Sequence, residues 1–230
     1  MQNEDVRVGQ PLDIASVVAV ARGGRRALLD PQATERVRRS RAFIEKLVRE
    51  NQVVYGVTTG FGKFAQVRIS PEDTRLLQRN LLLSHAIGVG EPLPTETVRA
   101  MMLLRAQSLA LGYSGVRTEV ITLLLEMLNR GVHPIVPSQG SVGASGDLAP
   151  LAHMCLPMIG EGTAEYEGAI LPGGEAMRRA GLEPIVLEAK EGLALINGTQ
   201  AMTAIGALTV YDALELCTLA DIAGAMSLEA

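Results

Sequence analysis

From Thr199 to Ala230 the chain is written almost wholly in Ala, Leu, Ile, Thr and Met. A helix that is apolar on most of its sides has to be surrounded by other elements. Composition points the same way. Hydrophobic residues make up 47% of the 230, aromatic ones only 3%, and there is no Trp. An apolar fraction built from Leu, Ala, Val, Ile and Met rather than from rings favours packed helices over a β-sandwich. A mainly α fold is expected, with residues 1–198 as an N-terminal, mainly helical domain and residues 199–230 as the start of a helical bundle. No Gly, Pro or basic final turn stops the last helix at Ser227-Leu228-Glu229-Ala230. Either other chains supply its partners or the polypeptide is cut from something longer, and the second is preferred.

The formal net charge of −4 gives no reason to expect nucleic acid or an anionic membrane as partner. Arg22 to Arg49 is rich in basic residues, but Glu35, Glu45 and Glu50 interrupt them, as on a solvated helix face. No membrane span is expected, because Asn197, Thr199, Gln200 and Asp212 break the best apolar run. Cys155 and Cys217 both lie in apolar stretches, and two buried thiols suit a reducing compartment. The acidic Met1 to Asp5 lacks the basic and apolar regions of a signal peptide, so the expected location is the cytoplasm. No metal site is expected, since His85, His133 and His153 are far apart and neither Cys stands at ligand spacing to them.

A charged amphipathic helix is expected over roughly Thr34 to Asn51. The β-prone Val53-Val54-Tyr55 then meets Gly56, Gly60 and Gly62, which make a loop with unusual backbone demands. Ser70-Pro71-Glu72-Asp73 opens a helix with a cap, a proline and first-turn acids, ending at Gly88. Thr95 is expected to cap another, with Val98, Met101, Met102 and Leu109 inward, and a third runs from about Val116 to Arg130. Pro150 sits near the first turn of an apolar helix ending at Gly160. A hairpin over Glu165 to Leu171 and a short helix around Glu175 to Ala180 follow.

The chemistry lies in Gly140 to His153, which reads Gly-Ser-Val-Gly-Ala-Ser-Gly-Asp-Leu-Ala-Pro-Leu-Ala-His. If the backbone is bent tightly, the Gly146 amide nitrogen can attack the Ala144 carbonyl carbon and close a five-membered ring. Glycine in third place removes the Cβ that would block the approach. Loss of one water from the ring, and of the Ser145 hydroxyl as a second, leaves an exocyclic methylene, a stronger electrophile than any ordinary side chain. The fold would have to hold the reacting atoms close and store strain there. For a bare Ala144-Ser145-Gly146, a flexible turn before a helix is the commoner outcome.

The whole run shifts that balance, because Gly140 to His153 resembles the signature of the ammonia-lyases and aminomutases that use a methylidene-imidazolone group. Further matches stand in family order: Tyr55-Gly-Val-Thr-Thr-Gly-Phe-Gly62, Leu77-Gln-Arg-Asn-Leu81, Ser84-His85 and Glu191-Gly-Leu-Ala-Leu-Ile-Asn-Gly-Thr-Gln200. The resemblance implies the N-terminal portion of an aspartase/fumarase-like helical fold, usually a homotetramer. It also implies an electrophile formed autocatalytically from Ala144, Ser145 and Gly146, with no dissociable cofactor. Tyr55 resembles the family's catalytic tyrosine, which removes a proton from the substrate β-carbon. A half-buried, hydrogen-bonded ring is the commoner fate of a tyrosine. Asn197 resembles the asparagine beside the prosthetic group and substrate, although a helix cap would explain it as well. Asp147 could orient the cyclising backbone or cap the next helix, and His153 reads as structural.

Ser84-His85 looks like the histidine-specific branch, which implies conversion of L-histidine to trans-urocanate and ammonia. An imidazole at His85 can exchange a hydrogen bond with a substrate imidazole, which Phe or Leu could not. Tyrosine-using relatives also carry His here, so a tyrosine or phenylalanine ammonia-lyase or aminomutase stays open. So does an inactive helical fragment competent only for association, because family members draw site residues from several subunits and from sequence further on. The 230 residues alone are therefore expected to release little ammonia. A dinucleotide site fails for want of an acid about twenty residues after the Gly-rich loop. A hydrolase fails because no Gly-x-Ser-x-Gly surrounds Ser114 or Ser145.

Overall fold

The computed structural model describes residues 5–50, 52–54, 56, 57, 59, 71–143 and 146–230, with the backbone alone at 71 and 72. Strand β1 (Val6–Val8) pairs in parallel with β2 (Ala27–Leu29) across helix α1 (Ile14–Ala21). Helix α2 spans Pro31–Arg49 and starts a turn earlier than expected at Thr34. The reason is a cap: Asp30 Oδ1 accepts from the Gln32 and Ala33 N–H groups at 2.8 and 3.2 Å, with Pro31 in first place. The β-prone Val53 and Val54 form no strand. Gln52 N–H returns to the Leu47 carbonyl, and Val57 N–H to that of Val54, so this segment turns instead of extending.

Helix α3 (Pro71–His85) leads through β3 (Val89–Pro92) to α4 (Thr95–Ala110). Ser70, the expected cap of α3, lies outside the described residues. Thr95 is the first residue of α4 rather than its cap; Pro94 holds that place, and Thr95 Oγ1 donates to Glu165 Oε2 at 3.1 Å. Val98, Met101, Met102 and Leu109 face inward as the pattern predicted, and Ala100, Leu103 and Ala106 are buried too. Helix α4 is apolar nearly all round and forms the centre of the molecule, packed by α1, by α5 (Thr118–Asn129) and by α9 (Gln200–Glu229). Each fully buried Leu or Met there contributes roughly 1.5–3 kcal/mol.

Strands β4 (His133–Pro134) and β5 (Pro137–Gln139) follow, and β5 runs antiparallel to β3. Helix α6 (Leu148–Cys155) continues as a 3-10 turn over Leu156–Ile159 to Gly160. The expected hairpin is β6 (Thr163–Tyr166) and β7 (Ala169–Pro172), extended by β4 into a three-stranded sheet in the order β4-β6-β7. Helices α7 (Gly173–Arg179) and α8 (Glu191–Ile196) precede α9. Only Ala201, Ala204 and Leu208 of α9 are buried, whereas Leu214, Leu216, Leu219, Ile222, Met226 and Leu228 are exposed. Cys217 lies on that outer part and is exposed, against expectation, while Cys155 is buried. By length and composition the stretch Glu191–Glu229 is apolar enough to cross a membrane, with mean hydropathy 1.3 in its best window. The polar residues expected to interrupt it do not lower that average enough. In this fold its Asp212 is paired with Arg22 of the α1 end.

Candidate active site

Two stretches distant in sequence meet where Gly146 lies against Gly198. Gly146 has φ +111°, and a Cβ there would stand 2.7 Å from the Gly198 carbonyl oxygen and 3.0 Å from its nitrogen. Glycine alone accommodates both the dihedral and the approach. The Asp147 N–H locks the contact by donating to the Gly198 carbonyl at 2.6 Å. The Asp147 side chain is fully buried. Its Oδ1 accepts from Ser141 Oγ at 2.6 Å and its Oδ2 from the Met202 N–H at 2.9 Å. Met202 is in the first turn of α9, whose N-cap residue Thr199 makes no side-chain capping bond. Asp147 thus caps α9 from another element and sets a carboxylate at the positive end of that helix. It makes no side-chain cap for α6, the helix it precedes.

Asn197 is held one residue from this contact. It closes α8 through its N–H to the Leu193 carbonyl at 3.0 Å, and its side chain is exposed. Thr199 holds the N-cap of α9, so Asn197 does not cap that helix and stands instead as the C-cap residue of α8. Beneath lies Arg105 of α4, 2% exposed. Its Nη1 donates to Gln200 Oε1 at 2.7 Å and its Nη2 to the Ala194 carbonyl, so one guanidinium grips the chain on both sides of Asn197. Burial without a carboxylate partner among the described residues pulls its pKa down to about 10.

Glu191, at the start of α8, has no exposure. Burial alone would push its carboxyl up. The Arg117 guanidinium, at 2.7 and 2.8 Å, and the N–H groups of Glu188 and Arg117 reverse that and hold it below the usual carboxylate range. Removing the charge leaves Arg117 with a weaker acceptor, but Arg117 is 26% exposed and can rehydrate. Glu191→Gln is therefore expected to cost about 1–3 kcal/mol, read as a lower urea midpoint. An unchanged midpoint would show that the pair is not holding α8 in place.

Helix α3 reaches the same region. Gln78 Oε1 accepts from the Gly192 N–H at 2.9 Å, joining α3 to α8. His85, half-buried at the end of α3, has Nδ1 2.8 Å from the Leu81 carbonyl. A carbonyl only accepts, so Nδ1 carries the proton and a neutral ring keeps its lone pair on Nε2. Three residues on, the Gly88 N–H donates to His153 Nε2 at 3.0 Å, and a Cβ on Gly140 would lie 3.0 Å from Gly88 Cα. His153 is thus a structural acceptor that ties the end of α3 to the loop of Gly140. His133 Nε2 likewise accepts from Arg99 at 2.9 Å.

Burial lowers the pKa of His153, and burial followed by the Arg99 charge lowers that of His133. The unfolded chain therefore binds protons before the folded one does. This contribution to stability is complete above the unfolded value of 6.5 and is lost as pH falls below it. The urea midpoint should decline between about pH 7 and about pH 5; a midpoint flat across that interval contradicts the buried neutral imidazoles.

Of the residues expected from sequence to form a site, Gly146 meets Gly198, the residue after Asn197, and Gly88, three residues after His85, meets Gly140 and His153 of the same stretch. Tyr55, Ala144 and Ser145 lie outside the described residues. Next to Tyr55, Val57 packs on Ile44 and Leu47 of α2, and Thr59 is buried. The sequence-derived set omits Arg105, Glu191 and Gln78. Arg105 did leave a signal, because its helical neighbours Met101, Met102 and Leu109 are all apolar, which marks a charge on a core face.

Residues 12–230 match the family model for aromatic amino acid lyases. The chain is 62% identical to the histidine ammonia-lyase of Gloeobacter violaceus over 222 residues, covering 96% of this chain and 43% of the relative. It is 59% identical to that of Symbiobacterium thermophilum over 227 residues, covering 99% and 45%. The crystal structure of histidine ammonia-lyase from Trypanosoma cruzi matches with a TM-score of 0.88 at 40% identity, covering 95% of this chain and 42% of that one. The chain thus spans less than half the length of these relatives, and its helices are those of the aspartase-like fold they share. Since the family match runs through both sides of the Gly146–Gly198 contact at such identity, the chain belongs to the aromatic amino acid lyase family.

Proposed function

We propose that the protein is a histidine ammonia-lyase, a carbon–nitrogen lyase converting L-histidine to trans-urocanate and ammonia with a methylidene-imidazolone group made from Ala144, Ser145 and Gly146. The observation that carries this is the 59% and 62% identity to relatives that are histidine ammonia-lyases. The residues present fit the group: the third position needs a glycine, and Gly146 has left-handed backbone with no room for a Cβ. Once formed, such a group supplies an electrophile that draws electrons from the substrate and eases the departure of ammonia.

The chain's own residues do the rest. Tyr55 takes a proton from the substrate β-carbon, which requires surroundings that lower its phenol pKa. Asn197 orients the amino acid, and Arg105 keeps Asn197 in place by holding Ala194 and Gln200. His85 accepts the substrate imidazole N–H at the Nε2 lone pair that its bond to Leu81 leaves free. Residues 1–198 form the N-terminal helical domain and residues 199–230 the first part of the central bundle of a cytoplasmic homotetramer. The exposed apolar residues of α9 support cover by partner helices.

The test is full-length protein assayed in parallel with histidine, tyrosine and phenylalanine. Histidine should be preferred by about a hundredfold or more in kcat/KM, the scale on which a site built for a hydrogen-bonding ring rejects one that lacks it. Comparable turnover of tyrosine would remove the histidine assignment and leave the lyase chemistry standing.

A further inference from the structure

Arg36, Arg39, Ser40 and Phe43 of α2 recur at i, i+3, i+4 and i+7, a spacing that aligns four side chains along one side of a helix. The core contacts of α2, through Ala33, Val37, Ile44 and Leu47, lie on the adjoining, partly overlapping side, so the row runs along the edge of the packed face. The row borders a groove of about 540 Å³ whose opposite wall includes Gly112 and Tyr113, in the turn after α4. That volume is within the range of small-molecule sites.

The lining says what would fit. The chain has only four Tyr and three Phe, yet Phe43 and Tyr113 stand 60% and 88% exposed on this one groove. Two arginines and no acidic residue line the walls. Arg41 and Lys46 on the same helix pair with Glu45 and Glu50, whereas neither Arg36 nor Arg39 forms an ion pair among the described residues. Arg36 is oriented by its Nη2 donating to the Gly9 carbonyl at 2.8 Å, and it acts at longer range on Asp30. Arg39 is exposed. Guanidiniums take phosphate or carboxylate through paired N–H groups, and exposed rings stack on flat rings.

We propose that this groove binds an anion carried on a flat ring, of the nucleoside phosphate kind, with the phosphates on Arg36 and Arg39 and the base against Phe43 and Tyr113. A flat aromatic carboxylate such as trans-urocanate shares the chemistry, but two cations in a row suit the higher charge of a phosphate chain. The site uses different residues from the Gly146–Asn197 region and does not rest on the lyase reading.

Calorimetric titration of the chain with ATP, AMP, trans-urocanate and inorganic phosphate separates these ligands. ATP should bind saturably, more tightly than AMP, and about tenfold or more tighter than inorganic phosphate, which has no ring to stack. Arg39→Glu and Tyr113→Ser change exposed positions, so the helical circular dichroism should persist while ATP affinity falls about tenfold. Added salt should weaken binding. Tighter binding of trans-urocanate than of ATP would overturn the nucleotide assignment. So would the absence of saturable binding, ATP binding indifferent to both variants, or a changed oligomeric state in the variants with no change in ligand affinity.

Discussion

Replacing Ser145 by alanine in the full-length protein is expected to cut ammonia release from L-histidine by about three orders of magnitude or more, the scale on which loss of a covalently acting group is felt. Alanine has no hydroxyl to leave as water, so the backbone ring could close without ever gaining its methylene. Described residues support the helices around the loop: α9 is capped by Asp147, and α6 is buried through Leu151, Ala152 and Met154. The loss should therefore fall on kcat, with substrate binding and melting temperature close to wild type. A Ser145→Ala variant that keeps a tenth of the wild-type rate at matched stability, by a rough criterion, would separate catalysis from the proposed electrophile.

The second large effect is expected at Gly146. A methyl group there would sit 2.7 Å from the Gly198 carbonyl oxygen, on a backbone with φ +111°. The atoms it would meet are main chain, so no side chain can swing away to make room. Left-handed strain costs about 1–3 kcal/mol and overpacking a similar amount. Gly146→Ala should thus destabilise the fold by about 3–5 kcal/mol in denaturant titration. Pushing Gly198 away also stretches the Asp147 N–H bond to its carbonyl and, through it, the cap on Met202. The variant should lose the proposed modification at Ser145 as well as stability. Wild-type stability in Gly146→Ala would mean that the two glycines do not need their close approach.

Much of this fold was legible in the sequence because it is locally encoded. The apolar spacing of Val98, Met101, Met102 and Leu109 marks the inner side of α4, and Gly160 marks the end of the apolar helical stretch that has Pro150 in its first turn. Errors came where two local signals competed. Thr95 is a good cap residue, but Pro94 already supplies the extended turn and Thr95 opens the helix. Asp30-Pro31 carries the same start signal as Ser70-Pro71, and α2 begins there rather than at Thr34. Cys217 was expected inside because its neighbours are apolar, but this part of α9 extends past the core of the chain.

The supports of the candidate site were not legible, for a different reason. Asp147 bonds a backbone N–H 55 positions away, Glu191 reaches Arg117 across 74, and Arg105 holds Ala194 across 89. No helical or strand period links residues so far apart. The motifs name Asp147, Glu191 and Gln200 without saying what each does. In the structure Asp147 ties the Gly146 segment to α9, while Arg117 and Arg105 hold Glu191 and Gln200 on either side of Asn197, so part of the family signature encodes the supports around these residues.

The proposed chemistry requires the backbone of Ala144, Ser145 and Gly146 to react with itself. Intact-mass measurement on the assembled full-length protein reads the outcome. The expected result is a chain lighter than its sequence by two waters, with the deficit confined to the peptide holding Ser145 and absent from Ser145→Ala. A full-length enzyme of unreduced mass that releases ammonia at full rate would contradict it.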